Sequence, residues 1–281
     1  MSFNVKKFNS TLSTVAPVSV VIPCFRCAST IARTIASVVQ QTQKPAEVIL
    51  VEDGSGDETL AVLQALAKPF PDWIKIIALP ENQGLANARN VGWAVATQPY
   101  IAFLDADDAW QAQKIEIQTA YMDAHPEVML CGHGHRVIKD NAALPDWQVQ
   151  TWTDSCIPKW SWLLSNKFVA PSVMVRRDVH QRFVPNRRYM EDHICWLEFV
   201  CSGYVVTKLS AELVAIYKSS YGVSGLSAQL WAMEQGELSN YQRLYDKNYI
   251  NLAQWLALSV YSVLKFVRRL VIYWSWLRWK K

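Results

Sequence analysis

Short apolar runs alternate with helically spaced apolar residues along the first half of the chain. Val18 to Ile22 (VSVVI) is continuous and β-branched, the pattern of a strand buried on both faces, and Pro23 ends it. Ile31, Ile35, Val38 and Val39 then recur at helical spacing, with Ser29 placed to cap. Val48 to Val51, Ile74 to Leu79 and Tyr100 to Leu104 read as further strands. Helices are predicted around Leu60, Leu63 and Leu66, over Ala86 to Ala96 and over Lys114 to Ala124. Strand and helix in strict alternation predict an α/β fold with a mainly parallel central sheet flanked by helices. After Gly132 the alternation loosens. Val173 to Arg176 and Tyr204 to Lys208 suggest strands, Ile194 to Cys201 a helix, and from Ser227 the pattern is helical to the end.

Ligands of such sheets bind beyond the carboxyl ends of the strands. That rule selects three loops: Pro23 to Ala28, Glu52 to Thr59 and Asp105 to Ala109. The first lacks the glycines of a dinucleotide fingerprint, and no GKS or GKT marks a P-loop. In the third, FLDADD places Asp105, Asp107 and Asp108 directly after a buried strand. Carboxylates so close repel one another unless a cation sits among them, and oxygen ligands select Mg²⁺ or Mn²⁺. Read alone, FLDADD also suits a solvated turn capping the next helix. The second loop, VEDGSGD, has glycines that permit close backbone approach and carboxylates that can accept from a base or a ribose, and it too can be a plain turn.

The net charge of +4 is uneven: Lys265, Arg268, Arg269, Arg278, Lys280 and Lys281 crowd the end, and no acidic residue follows Asp246. A basic face for nucleic acid is therefore not implied. The six cysteines are scattered, and Cys24 and Cys27 form a lone CxxC without the second pair a zinc site needs. Met1 to Ala16 is polar, a flexible lead-in without the apolar core of a secretory signal, so a cytoplasmic protein with reduced thiols is expected.

Five motifs in order, VSVVIPCF (from Val18), VEDGSGDET (from Val51), NQGLANARN (from Asn82), FLDADD (from Phe103) and MED (from Met190), closely resemble the family 2 glycosyltransferases of GT-A fold. The resemblance covers roughly residues 18 to 217 and leaves 218–281 as a helical extension. It implies transfer of a sugar from a nucleoside-diphosphate sugar, UDP-linked by expectation, to an acceptor hydroxyl with inversion. It implies roles as well. Pro23 and Phe25 would line the base pocket. Asp53 would meet the uracil edge or ribose, and Glu52 stands where the family often has Asp. Arg89 would lie near the diphosphate. Asp105 and Asp107 would form the DXD motif, with Asp107 as the direct metal ligand and Asp105 toward the ribose or sugar. Asp192 would be the base that deprotonates the acceptor, with Glu191 as second choice. The acceptor would be a glycan or lipid-linked glycan of surface polysaccharide or lipopolysaccharide synthesis.

Other readings stay open: a non-catalytic relative that binds nucleotide sugars or glycans, a transferase onto polyprenyl phosphate, and a nucleotidyltransferase, whose glycine-rich basic first loop is missing. The QxxRW element of processive synthases is absent, since Ser275 stands where Gln would be needed before Arg278-Trp279. Trp160 and Trp162 suit sugar stacking or core packing, and His133 and His135 share a strand face. Tyr217, Lys218 and Ser224 lie where the family has a mobile segment. In the tail, Leu256, Val260, Val263, Val267, Leu270, Val271 and Trp274 share one helical face, and Lys265, Arg268 and Arg269 the other. Such a helix suits the surface of an anionic membrane, the catalytic domain or the interface of a homodimer.

Overall fold

A computed structural model describes residues 15–139, 147–218 and 229–279, with side chains to Ile272. Ser224 and the terminal basic pair Lys280 and Lys281 lie outside the described residues.

The first half runs β1 (Val15–Cys24), α1 (Ile31–Val39), β2 (Lys44–Glu52), α2 (Thr59–Ala67), β3 (Ile74–Ala78), α3 (Leu85–Val95), β4 (Tyr100–Phe103), β5 (Ala109–Trp110) and α4 (Lys114–Ala124). The second half holds β6 (Val128–Lys139), β7 (Asp154–Cys156), α5 (Lys159–Leu164), β8 (Met174–Arg176), α6 (Glu191–Cys201), β9 (Val205–Lys218), α7 (Leu230–Asp246) and α8 (Leu252–Trp279). The predicted elements are present; β1, β2, α6 and β9 run beyond their predicted bounds, while β3, β4 and β8 are each a residue shorter. Thr30 rather than Ser29 precedes α1, and it makes no side-chain cap.

All nine strands among the described residues join one sheet, ordered β3-β2-β1-β4-β8-β6-β9-β5, with β7 paired to β9. The first four strands are parallel, as continuous apolar runs require. Beyond β4 the sheet is mixed: β8 is antiparallel to β4 and β6, while β6 and β9 run parallel. Alternate residues feed two cores. Val20, Ile22 and Leu50 pack with Ile31, Leu63 and Ile115 on one face. Val21, Val51 and Phe103 pack with Trp93, Phe183 and Trp196 on the other.

Two contacts lock the parallel strands and α3 together. Helix α3 lies so close to β1 that a Cβ at Gly92 would come within 2.4 Å of a Val21 methyl. Glu47 is buried and ties four segments: its Oε1 accepts from the Ser19 hydroxyl (2.6 Å) and from the amide and hydroxyl of Thr97 (both 2.7 Å), and its Oε2 pairs with Lys75 at 3.2 Å. Burial alone would raise its pKa, yet these donors outweigh burial and bring the carboxyl down to about 2.

Candidate active site

The three loops selected from the sequence meet at the carboxyl ends of β1, β2 and β4. In the first, Pro23 is buried and Phe25 is 45% exposed, with the Arg26 guanidinium 5.2 Å from its ring centre. The second loop is folded on itself. Glu52 Oε1 accepts from the Ser55 amide at 2.7 Å. Asp53 is buried and accepts from the Gln83 and Gly84 amides and the Asn82 side chain at 2.8–2.9 Å. Asp53 therefore joins the VEDGSGD and NQGLANARN motifs. The approach demands glycine at 54: its φ is +62°, and a Cβ would meet the Glu81 carbonyl carbon at 2.3 Å.

The third loop carries the DXD sequence and is pinned by its backbone. Thr34 donates its hydroxyl to the carbonyls of Ala106 and Asp108, and Arg33 donates to the Asp107 carbonyl at 2.6 Å. Asp108 is buried and accepts the Tyr217 amide at 3.1 Å. The Arg33 guanidinium lies 3.5 Å from the Tyr217 ring centre, clamping the end of β9 to this loop. Asp107 is exposed and the Asp105 side chain partly so.

Arg89 joins this loop to the MED motif. It is 1% exposed, and its two terminal nitrogens donate to Asp105 Oδ1 at 2.7 Å and to Glu191 Oε1 at 2.9 Å. Burial alone would favour loss of its proton; Asp105 and then Glu191 outweigh that and keep it charged. The residue expected beside the diphosphate thus bridges two carboxylates. Glu191 opens α6 after Met190, whose φ is +56°. Burial, then the charge of Asp192, push Glu191 up to about 7 despite Arg89. Asp192 is half-buried, takes the Asn166 side-chain amide on Oδ2 at 2.9 Å, and accepts the next residue's N–H on Oδ1 at 2.7 Å.

The structure therefore joins Asp105, Arg89 and Glu191 by ion pairs, with Asp192 next in the chain to Glu191, while Glu52 and Asp53 brace the second loop separately and Asp107 is exposed on the third. Sequence reasoning missed Arg33, Thr34 and Asn166. The first two lie on an ordinary helix face, and Asn166 sits in an irregular stretch that no periodicity marks. Trp162 is core, edge-on to Phe168, whereas Trp160 is 65% exposed. His133 is buried and His135 exposed, because the strand pairing slips between them. Cys24 and Cys27 are buried free thiols.

Residues 19–182 match the model of Glycosyl transferase family 2, and the chain belongs to that family. The amylovoran biosynthesis glycosyltransferase AmsE of Erwinia amylovora is 31% identical over 195 residues, 66% of this chain and 69% of AmsE. Among solved structures, S. aureus TarS 1-349 in complex with UDP superposes with a TM-score of 0.60 at 18% identity, over 80% of this chain and 65% of that one. The mannosyltransferase PcManGT of Pyrobaculum calidifontis, in complex with GDP-Man and Mn²⁺, gives 0.62 at 17% identity, over 95% and 79%. Aligned lengths vary, and one curated relative is matched over only 30% of its length. The GT-A fold and the glycosyltransferase class follow from these matches together.

Proposed function

We propose that this chain moves a sugar from a nucleoside-diphosphate sugar, UDP-linked by our reading, to an acceptor hydroxyl in surface-polysaccharide or lipopolysaccharide synthesis, with inversion and with a divalent cation. The carrying observation is the Asp105–Arg89–Glu191 bridge, because it fixes a carboxylate of the DXD loop against the acidic pair at the start of α6.

The donor set suits Mg²⁺ or Mn²⁺. Among the described residues no three His, Cys, Asp or Glu side chains form a cage, and Asp107 with Asp105 are the carboxylates we assign to the ion. One or two carboxylates, with phosphate oxygens completing the shell, is a common arrangement for Mg²⁺. A bound ion would neutralise the charge that develops on the leaving diphosphate. Phe25 offers a ring face to the base, and the Asp53-braced loop shapes the ribose pocket. Arg89 orients Asp105. Asp192, more open than Glu191 and steadied by Asn166, takes the acceptor proton. Glu191 is the positioning partner of that base. One displacement by the acceptor oxygen inverts the anomeric carbon and needs no nucleophilic Ser or Cys.

The support from relatives is in kind: AmsE is named for amylovoran biosynthesis, TarS is bound to UDP and PcManGT to GDP-Man and Mn²⁺. Release of nucleoside diphosphate from UDP-, GDP- and dTDP-sugars, with and without Mn²⁺, tests the reading. Metal-dependent release from one donor class supports it, and none from any donor refutes it.

The tail fits a peripheral role. No helix among the described residues is long and apolar enough to cross a membrane. Helix α8 is held to the body by buried Leu258 and Ser262, by an ion pair from Lys265 to Glu237 on α7, and by Phe266 against Trp231. Lys265, placed by the sequence on a polar outer face, thus turns inward. Leu256, Val260, Val263, Val267 and Val271 stay exposed on the opposite side, with Arg268 exposed beside them. This face is suited to lie on an anionic membrane on its cytoplasmic side, near a lipid-linked acceptor.

A further inference from the structure

The β6–β9 pairing slips midway along the two strands. His133 pairs with Leu209, but Gly134 pairs with Glu212, so Ser210 and Ala211 are extra residues on β9, Ser210 exposed and Ala211 buried in the core. The slip opens a cavity of about 520 Å³ lined by Gly134, His135, Ser155, Lys208, Ser210 and Glu212. Strand β7 borders it, since Ser155 pairs with Lys208. The lining includes two serine hydroxyls, an imidazole, an ammonium and a carboxylate.

Its charges are unequally matched. Glu212 is neutralised by Arg136 at 2.6 Å. Lys208 has no carboxylate partner among the described residues. Nor does Lys167, whose ammonium donates to the Ser165 hydroxyl at 2.6 Å. Both lysines are half-buried. Burial, then the charge of Lys208, weaken the hold of Lys167 on its proton. Two half-buried lysines without a carboxylate partner favour an oxyanion beside them.

The cavity is tied to the proposed acceptor side. Lys208 pairs with Gly132 across the strands, and the Phe168 ring covers Gly132 so closely that a Cβ there would lie 2.4 Å from it. Phe168 follows Lys167. Asn166 precedes it and donates to Asp192 Oδ2. Three consecutive residues thus run from the proposed base to the cavity.

We propose that this cavity is an acceptor-side subsite for an oxyanion, with Lys167 and Lys208 receiving a carboxylate or phosphate group carried by the acceptor. The assignment rests on the transferase reading, in which Asp192 faces the acceptor. A uronate within a glycan and the diphosphate joining a glycan to its lipid share this chemistry.

Calorimetry on the full chain, saturated with UDP and Mn²⁺ so that the donor site is filled, separates the sources. Geranyl diphosphate, methyl glucuronide and neutral methyl glucoside are titrated in separate arms at low and high salt. At least one anion is expected to bind, more weakly in high salt, and the glucoside is not. The anion that binds identifies the source. Lys208→Gln should weaken it about tenfold or more, the double variant with Lys167→Gln further, and Lys208→Arg should restore most of it. UDP affinity and the melting temperature should stay at wild-type values throughout. Equal anion binding by wild type and the double variant overturns the subsite, as does binding of neither anion. If UDP itself fails to bind, the transferase reading fails separately, and anion titration of the unloaded protein still tests the lysines.

Discussion

Asp105 and Glu191 share a single guanidinium, the buried Arg89, at 2.7 and 2.9 Å. One lies on the loop proposed to hold the metal and donor, the other beside the proposed base. A displacement of either is transmitted to the other through a group that packing against Phe183 and the tight α3–β1 contact hold in place.

Arg89→Lys keeps the charge but loses the fork that serves both carboxylates. Turnover should fall about 10²-fold or more, the scale of small misplacements at a reacting centre. UDP affinity should fall with it, since Asp105 on the donor loop loses its partner. Wild-type kcat in this variant would show that the bridge is only structural.

The acidic pair separates by role. Asp192→Asn should lower kcat by about 10²- to 10⁴-fold with donor affinity kept, the usual scale for loss of a general base. Glu191→Gln should affect both kcat and the fit of the donor loop, since it loosens Arg89. Collapse of donor affinity in Asp192→Asn would put that residue on the wrong side of the site.

Glu47 governs part of the acid stability. Its carboxyl titrates near 2 in the fold, against about 4.5 in the unfolded chain, so its contribution is present above about pH 4.5 and is lost as pH falls toward 2. The full contribution is about 3 kcal/mol as an upper figure. Urea unfolding at about pH 6 and about pH 3 should show a steeper loss in wild type than in Glu47→Gln. Parallel losses would remove Glu47 from the acid response.

Much of this was legible in residue order. Runs such as Val18 to Ile22 and Val48 to Val51 can be buried on both faces only in a parallel sheet, and the acidic loops follow such strands. The second half was harder to read. Strand β9 continues to Lys218, well past the stretch Tyr204 to Lys208: Ser210 and Glu212 interrupt the apolar pattern before the buried run Leu213 to Tyr217, which pairs with β5 and the end of β6. The partnership of Arg89 was also hidden. An arginine on a small-residue helix gives no sign of burial until Gly92 allows the helix to close on Val21. Lys265 looked polar-facing because its partner Glu237 lies on another helix.

The tail makes a further prediction. The full chain should co-sediment with anionic vesicles more than with neutral ones and less in high salt, and a chain ending at Lys247 should not. Equal partitioning of both would leave α8 to protein packing alone.

Donor binding and turnover both depend, in this mechanism, on the DXD loop. Calorimetry with UDP-sugar, with and without Mn²⁺, on wild type and Asp107→Ala is the decisive measurement. Metal-dependent binding and turnover in wild type, both lost in a folded Asp107→Ala protein, is the predicted result. Full metal-dependent binding and activity in Asp107→Ala would contradict it.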